Sequence, residues 1–191
     1  MKSDLDWKRR DMNYGWARGA SALAMIAVLG GPLAACDRAP AAPDETASQN
    51  LRAAEFFLTS NARVEGVQTL PSGVQYKVLR SGPAGGEHPD RNDLVRVDYE
   101  GTLTDGTVFD SSFQAGQPAV FTVSEVVPGW TEVLQHMRVG DEWVVYLPPA
   151  LGYGEEGRPG IPPNAVMVFR LKLLEVAPVP GGERGGAIGQ G

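Results

Sequence analysis

Residues 95–112 alternate as a half-buried strand and its return do. Val95, Val97, Tyr99 and Leu103 fall on one face, and Arg96, Asp98, Glu100 and Thr102 on the other. Asp105-Gly106 supplies the residues that tolerate positive φ in a tight hairpin, and the chain returns through Val108-Phe109-Asp110. Taken alone, this is an ordinary hairpin with a tyrosine in the core. Further strands are predicted at Val74–Leu79, Ala119–Val123, Glu142–Leu147 and Val166–Val176. Trp143, Val145 and Leu147 share one face, and Met167, Phe169, Leu171 and Leu173 another. After Pro128-Gly129, the residues Trp130, Val133, Leu134 and Met137 repeat at i, i+3, i+4 and i+7, which predicts a short helix ended by Gly140. So short a helix does not hold in water and must lie against a sheet. Gly82–Asn92 and Pro148–Asn164 carry the glycine and proline of loops. These elements imply the α+β fold class, an antiparallel β-sheet wrapped around one short α-helix.

The ends read differently. Residues 1–36 look like an export segment: Lys8, Arg9, Arg10 and Arg18 precede the apolar run Ala20–Leu29, which Gly30-Gly31-Pro32 interrupts. That run is shorter than the ~20 residues a membrane-spanning helix needs. Residues 37–49 lack periodicity and are expected to be a flexible tether. Helical spacing resumes over residues 50–66, with Leu51, Ala54, Leu58 and Ala62 on one face, Phe57 beside them and Gly66 as the stop. A folded domain is expected over 72–176 and a disordered, Gly-rich tail over 177–191.

Composition narrows the function. The chain has 191 residues, 42% of them apolar, with a formal net charge of −6. The first 36 residues carry a positive excess, so the rest of the chain is more acidic still and has no basic stripe. That argues against nucleic acid and against electrostatic docking to anionic lipid. Cys36 is the one cysteine, so no intramolecular disulfide can form. With only His88 and His136 besides, neither a metal site nor a cofactor is expected.

Several spaced motifs occur in one order: Tyr99-x-Gly101, Gly106-x-x-Phe109-Asp110-Ser111-Ser112, Val126-Val127-Pro128-Gly129-Trp130, Leu151-Gly152-Tyr153-Gly154 and Ile161-Pro162-Pro163-Asn164-Ala165. Together they resemble the FKBP-type peptidyl-prolyl cis/trans isomerases, over roughly Ser72–Val176. The lead-in, with Glu65-Gly66-Val67 and Pro71-Ser72-Gly73-Val74-Gln75-Tyr76, is similar to the macrophage-infectivity-potentiator type. In that type a long helix joins a dimerisation domain to the isomerase domain; here about four helical turns are seen and a monomer is expected. Leu33-Ala34-Ala35-Cys36 resembles the bacterial lipobox, which implies lipidation at Cys36 and a periplasm-facing lipoprotein, inner or outer membrane left open. A cleaved signal with a chance cysteine, or an uncleaved anchor, is the alternative.

Prolyl isomerisation requires no nucleophile, metal or cofactor. The amide must twist through a barrier of ~18–20 kcal/mol set by resonance. A dry apolar pocket favours the twisted amide, which is less charge-separated than the planar one, and hydrogen bonds matched to the twisted form lower the barrier further. By resemblance, Trp130 is the pocket floor. Tyr99, Phe109 and Phe169 join it as the catalytic surround, with Asp110 and the hydroxyl of Tyr153 facing substrate carbonyls. Val126, Val127 and Ile161 are implied as substrate-binding walls, and Phe121, on the same strand face as Ala119, is a further candidate for that wall. The residues alone favour plain core packing for Val126, Val127 and Phe169. Asp110 alone reads as a turn or cap residue, and Tyr153 as core. Trp130 stands apart, because an indole opening a short helix brings an N–H to satisfy. Ala119 is small where the family often has an aromatic wall, and Arg158 occupies a loop position often held by His or an apolar residue. The resemblance therefore implies an isomerase acting on proline-containing polypeptides, with macrolides as possible ligands. The alternative is a non-catalytic chaperone or macrolide-binding module using the same pocket.

Overall fold

In the computed structural model, which describes residues 43–180, the chain forms three α-helices and seven strands joined by turns and two short 3-10 segments. Helix α1 spans Pro43–Asn61 and is followed by β1 (Val67–Thr69) and β2 (Gln75–Arg80). The hairpin comes next as β3 (Leu94–Leu103) and β4 (Val108–Ser111), then a one-turn helix α2 (Ser112–Ala115) and β5 (Ala119–Thr122). Helix α3 (Pro128–His136), β6 (Glu142–Leu147) and β7 (Met167–Ala177) complete the fold. The strands make one antiparallel sheet in the order β1-β2-β6-β7-β3-β4, with β5 also on β3. The expected α+β class, a sheet around one short helix, is the architecture that forms.

β3 pairs with three strands, β7, β4 and β5. One edge pairs with β7 along its length, Tyr99 opposite Leu171 and Gly101 opposite Phe169. The other edge is shared: β5 covers Leu94–Val97 and β4 covers Glu100–Thr102. Between them the N–H of Tyr99 has no strand partner and instead donates to Ser112 Oγ at 2.9 Å. That hydroxyl closes the gap where the chain leaves the sheet, so α2 can swing out without orphaning a buried donor. The inward face of β3, Val95, Val97 and Tyr99, is buried together with Val133 and Leu134 of α3 and Leu171 and Leu173 of β7.

α3 starts as Pro128-Gly129 leads one to expect. Pro128 sits in the first turn, where its missing N–H costs nothing. Gly129 packs so closely that a Cβ there would meet Leu147 Cδ2 at 2.5 Å. The helix ends at His136 with Met137 extended, and Gly140 makes a separate reversal at φ +95, rather than ending the helix itself.

The amino-terminal helix differs from expectation. α1 begins at Pro43, so residues 43–49 of the expected tether are helical, and it ends at Asn61 rather than near Gly66. Its docked face is also rotated. Ala54 and Asn61 are buried while Leu51 and Ala62 are exposed. The contact is largely polar: Asn61 Nδ2 donates to Gln75 Oε1, and Gln75 Nε2 to Leu58 O, both at 2.8 Å. Phe57 adds a ring contact with Tyr146, centroids 6.0 Å apart. At the other end Ala177 belongs to β7 and not to a tail. Residues 1–42 and 181–191, which include Cys36 and most of the expected tail, lie outside the described residues.

Candidate active site

The excursion from β4 through α2 and β5 into α3 leaves a cavity of about 430 Å³ against the open end of the sheet. Trp130, Tyr99 and Phe169 line its base and are all but buried. Phe109 and Phe121 line it from β4 and β5, and Val126 and Val127 from the segment leading into α3. Asp110 and Tyr153 complete the lining expected from the sequence motifs. Ile161 is the exception. It is buried, and it lines an adjoining shallow groove rather than the cavity itself. Its side chain is taken up by the core because it follows the tight turn that bridges Arg158 to Ile161.

The rings meet edge to face. Around Trp130 stand Tyr99 at 5.2 Å and 87°, Phe121 at 5.7 Å and 88°, and Phe169 at 5.1 Å and 78°. Phe109 meets Phe169 at 5.6 Å and 87°. This is the arrangement ring quadrupoles prefer, and it fixes each ring without filling the space above the indole. The indole N–H of Trp130 is buried with no hydrogen-bond partner among the described residues. Thr131 holds the helix in place by donating from Oγ1 to Val123 O at 2.7 Å.

Tyr99, Asp110, Tyr153, Arg158 and Glu125 bring polar groups to the cavity, and four of them are tied in two pairs. Tyr99 Oη donates to Asp110 Oδ2 at 2.9 Å. Burial first, and then that carboxylate, hold the Tyr99 hydroxyl well above the ordinary phenol range. Arg158 Nη1 donates to Tyr153 Oη at 2.6 Å, which leaves the tyrosine's own proton for another acceptor. Arg158 and Glu125 both line the cavity, and the sequence motifs do not place them there. Arg158 is noticeable in the sequence only as an unusual loop residue; Glu125, an exposed acid in a short turn, carries no signal at all. Ala119 does not line the cavity, whereas Phe121 on the same strand does.

A ring-walled cavity that also bears a hydroxyl donor and charged groups suits the holding of a compact apolar ring while a polar group beside it is contacted. The comparisons with known proteins identify the family. Residues 85–174 match the family described as FKBP-type peptidyl-prolyl cis-trans isomerase, and residues 32–78 match the domain amino terminal to it. The chain is 49% identical over 128 residues to the peptidyl-prolyl cis-trans isomerase Mip of Coxiella burnetii, covering 66% of this chain and 55% of that one. It is 40% identical to FkpA of Escherichia coli in its crystal structure, with a TM-score of 0.69 over 72% of this chain and 64% of that one. A peptidyl-prolyl cis-trans isomerase of Pseudomonas syringae is 35% identical, with a TM-score of 0.64 over 69% of this chain and 96% of that one. The chain belongs to the FKBP-type peptidyl-prolyl cis/trans isomerase family. It spans about half the length of the curated relatives it matches.

Proposed function

We propose that the protein is a peptidyl-prolyl cis/trans isomerase that assists the folding of exported polypeptides by non-covalent catalysis. The single observation that carries this is the cavity floored by Trp130 and walled by edge-on rings, in a chain of this family. In this reading the proline ring rests on the indole. Tyr99, Phe109 and Phe169 exclude water, and Phe121, Val126 and Val127 flank the neighbouring substrate residues. The Tyr153 hydroxyl donates to the carbonyl of the twisting amide. Asp110, held by Tyr99, sets a fixed negative group beside the carbon of that amide. Ile161 acts one layer back, by backing the loop that carries Tyr153.

Residues 72–176 form the isomerase domain in this reading, and the protein works as a monomer. Lipidation at Cys36 anchors it on the periplasmic side of a membrane. Support for an envelope location comes from a 45% identical relative named outer membrane protein MIP in Legionella longbeachae. Among the described residues no helix is long and apolar enough to cross a membrane. Macrolides are expected to compete for the cavity.

The test is the rate of cis-to-trans conversion of a short X-Pro peptide with the purified protein, with and without a macrolide. Acceleration that the macrolide abolishes is the expected result. A folded protein that binds the peptide without accelerating it would make the cavity a holding site and sink the catalytic reading.

A further inference from the structure

The loop between Tyr153 and Ile161 brings one cation to the cavity. Arg158 is fixed at its backbone: its N–H donates to Ile161 O at 2.9 Å, and its carbonyl accepts from the Ile161 N–H at 2.7 Å. The turn between them passes through Gly160 at φ +86, a conformation that favours glycine. The side chain is exposed, lies 4.8 Å from the centroid of the Tyr153 ring and donates to that residue's hydroxyl. A guanidinium has five N–H donors, and among the described residues no carboxylate pairs with this one. It borders both the aromatic cavity and the shallow groove beside Ile161.

We propose that Arg158 determines substrate preference, by taking the carboxylate of a Glu or Asp that immediately precedes the proline. The inference rests on the isomerase reading. Because Tyr153 Oη accepts from Arg158, its free proton is the one offered to the amide carbonyl. That carbonyl belongs to the residue before the proline, and the Cα bearing its side chain is bonded to the same carbon. The guanidinium attached to Tyr153 is therefore within reach of that side chain, with donors to spare. Two other charges line the cavity, Asp110 from β4 and Glu125 from the turn before α3. Both oppose Arg158 in sign and would draw a cation. Removing the guanidinium leaves them in place, so preference should pass from acidic to basic residues rather than vanish.

The experiment compares kcat/KM for three peptides that differ only in the residue before proline: Glu, Gln or Lys. Wild type, Arg158→Gln and Arg158→Lys are measured at low and high salt. Wild type should prefer Glu over Lys by about fivefold, the scale of one exposed ion pair, and salt should shrink the ratio. Arg158→Lys should keep the preference for Glu, and in Arg158→Gln the ratio should fall below one. The Gln peptide reports whether each variant is still an active, folded enzyme. An equal loss on all three peptides, with the ratio unchanged, would make Arg158 a support for Tyr153 alone and overturn the proposal. Turnover of no peptide by wild type would sink the isomerase reading and this inference together.

Discussion

Tyr99 donates its hydroxyl to Asp110 Oδ2 at 2.9 Å, tying β3 to its hairpin partner β4 at the cavity. The tyrosine is buried and the aspartate is exposed, so the bond aims a solvent-side carboxylate from a rigid core residue. Tyr99→Phe should release Asp110 at a stability cost of about 1 kcal/mol. Asp110→Val should leave the fold intact and lower kcat/KM on the order of tenfold, equivalent to about 1.4 kcal/mol of transition-state stabilisation. Kinetics paired with denaturant unfolding check both variants, and unchanged turnover in both would remove this pair from the site.

The same bond sets a pH response. The Tyr99 hydroxyl is raised in the folded state, by burial first and by Asp110 second. A group raised on folding stabilises fully below its unfolded value, about 10 for tyrosine, and loses that contribution as pH rises toward the folded value. Wild type should therefore lose stability above about pH 10, and Tyr99→Phe should lose less over the same interval. Parallel denaturant titrations of the two proteins between neutral and strongly alkaline pH measure it; identical slopes would contradict the argument.

Gly101 matters for a steric reason. A Cβ there would lie 2.7 Å from Phe109 Cε2 and 2.8 Å from Phe169 Cε1. Both rings line the cavity, so Gly101→Ala must push at least one of them out of its edge-to-face contact. Overpacking of this kind costs about 1–3 kcal/mol. Turnover should fall by more than the unfolded fraction explains, and the intrinsic fluorescence of Trp130 should shift because Phe169 is also its neighbour.

The sequence is informative where one face of an element is apolar. The alternation in β3, the Asp105-Gly106 turn and the spacing from Trp130 to Met137 each name their own buried side, and the structure buries Val95, Val97, Trp130, Val133 and Leu134. α1 is legible as a helix, but its docked face is not. That stripe, Asn50, Ala54 and Asn61, is polar or small, so an apolar-face rule selects Leu51 instead, which is 39% exposed. β1 has only three residues and no period to detect. Tyr99, Phe109, Trp130 and Tyr153 are legible through spaced motifs, whereas Phe121 and Phe169 stand outside them. Arg158 is noticeable as an unusual loop residue, whereas Glu125 carries no such signal, because an exposed charge in a turn has no periodicity and gains meaning only from what folds beside it.

Cys36 lies outside the described residues, and its proposed role rests on the pattern Leu33-Ala34-Ala35-Cys36. Two acyl chains hold a protein on a bilayer where a single chain holds it only marginally. Cys36→Ser should shift the protein from the membrane fraction to the soluble fraction of the producing cells. A variant that stays membrane-bound and uncleaved would show that the segment is an ordinary anchor.

Asn164 links the amino-terminal helix to the loop behind the site. It is buried at φ +54, its Nδ2 donates to Ala47 O at 3.0 Å, and its N–H donates to Gly154 O at 2.8 Å, next to Tyr153. Asn50 returns a bond from Nδ2 to Pro163 O at 2.8 Å. Asparagine serves both needs, since it tolerates positive φ and carries the donor that α1 requires. The two needs separate by mutation. Asn164→Gly keeps the backbone and loses the side-chain bond, whereas Asn164→Ala loses both and should be the less stable, by about 1 kcal/mol. In either variant the amides of α1 should exchange faster, and kcat/KM should fall modestly if the helix steadies Tyr153. Unchanged exchange in Asn164→Gly would mean that Phe57 and the Asn61–Gln75 pair hold α1 without help from this end.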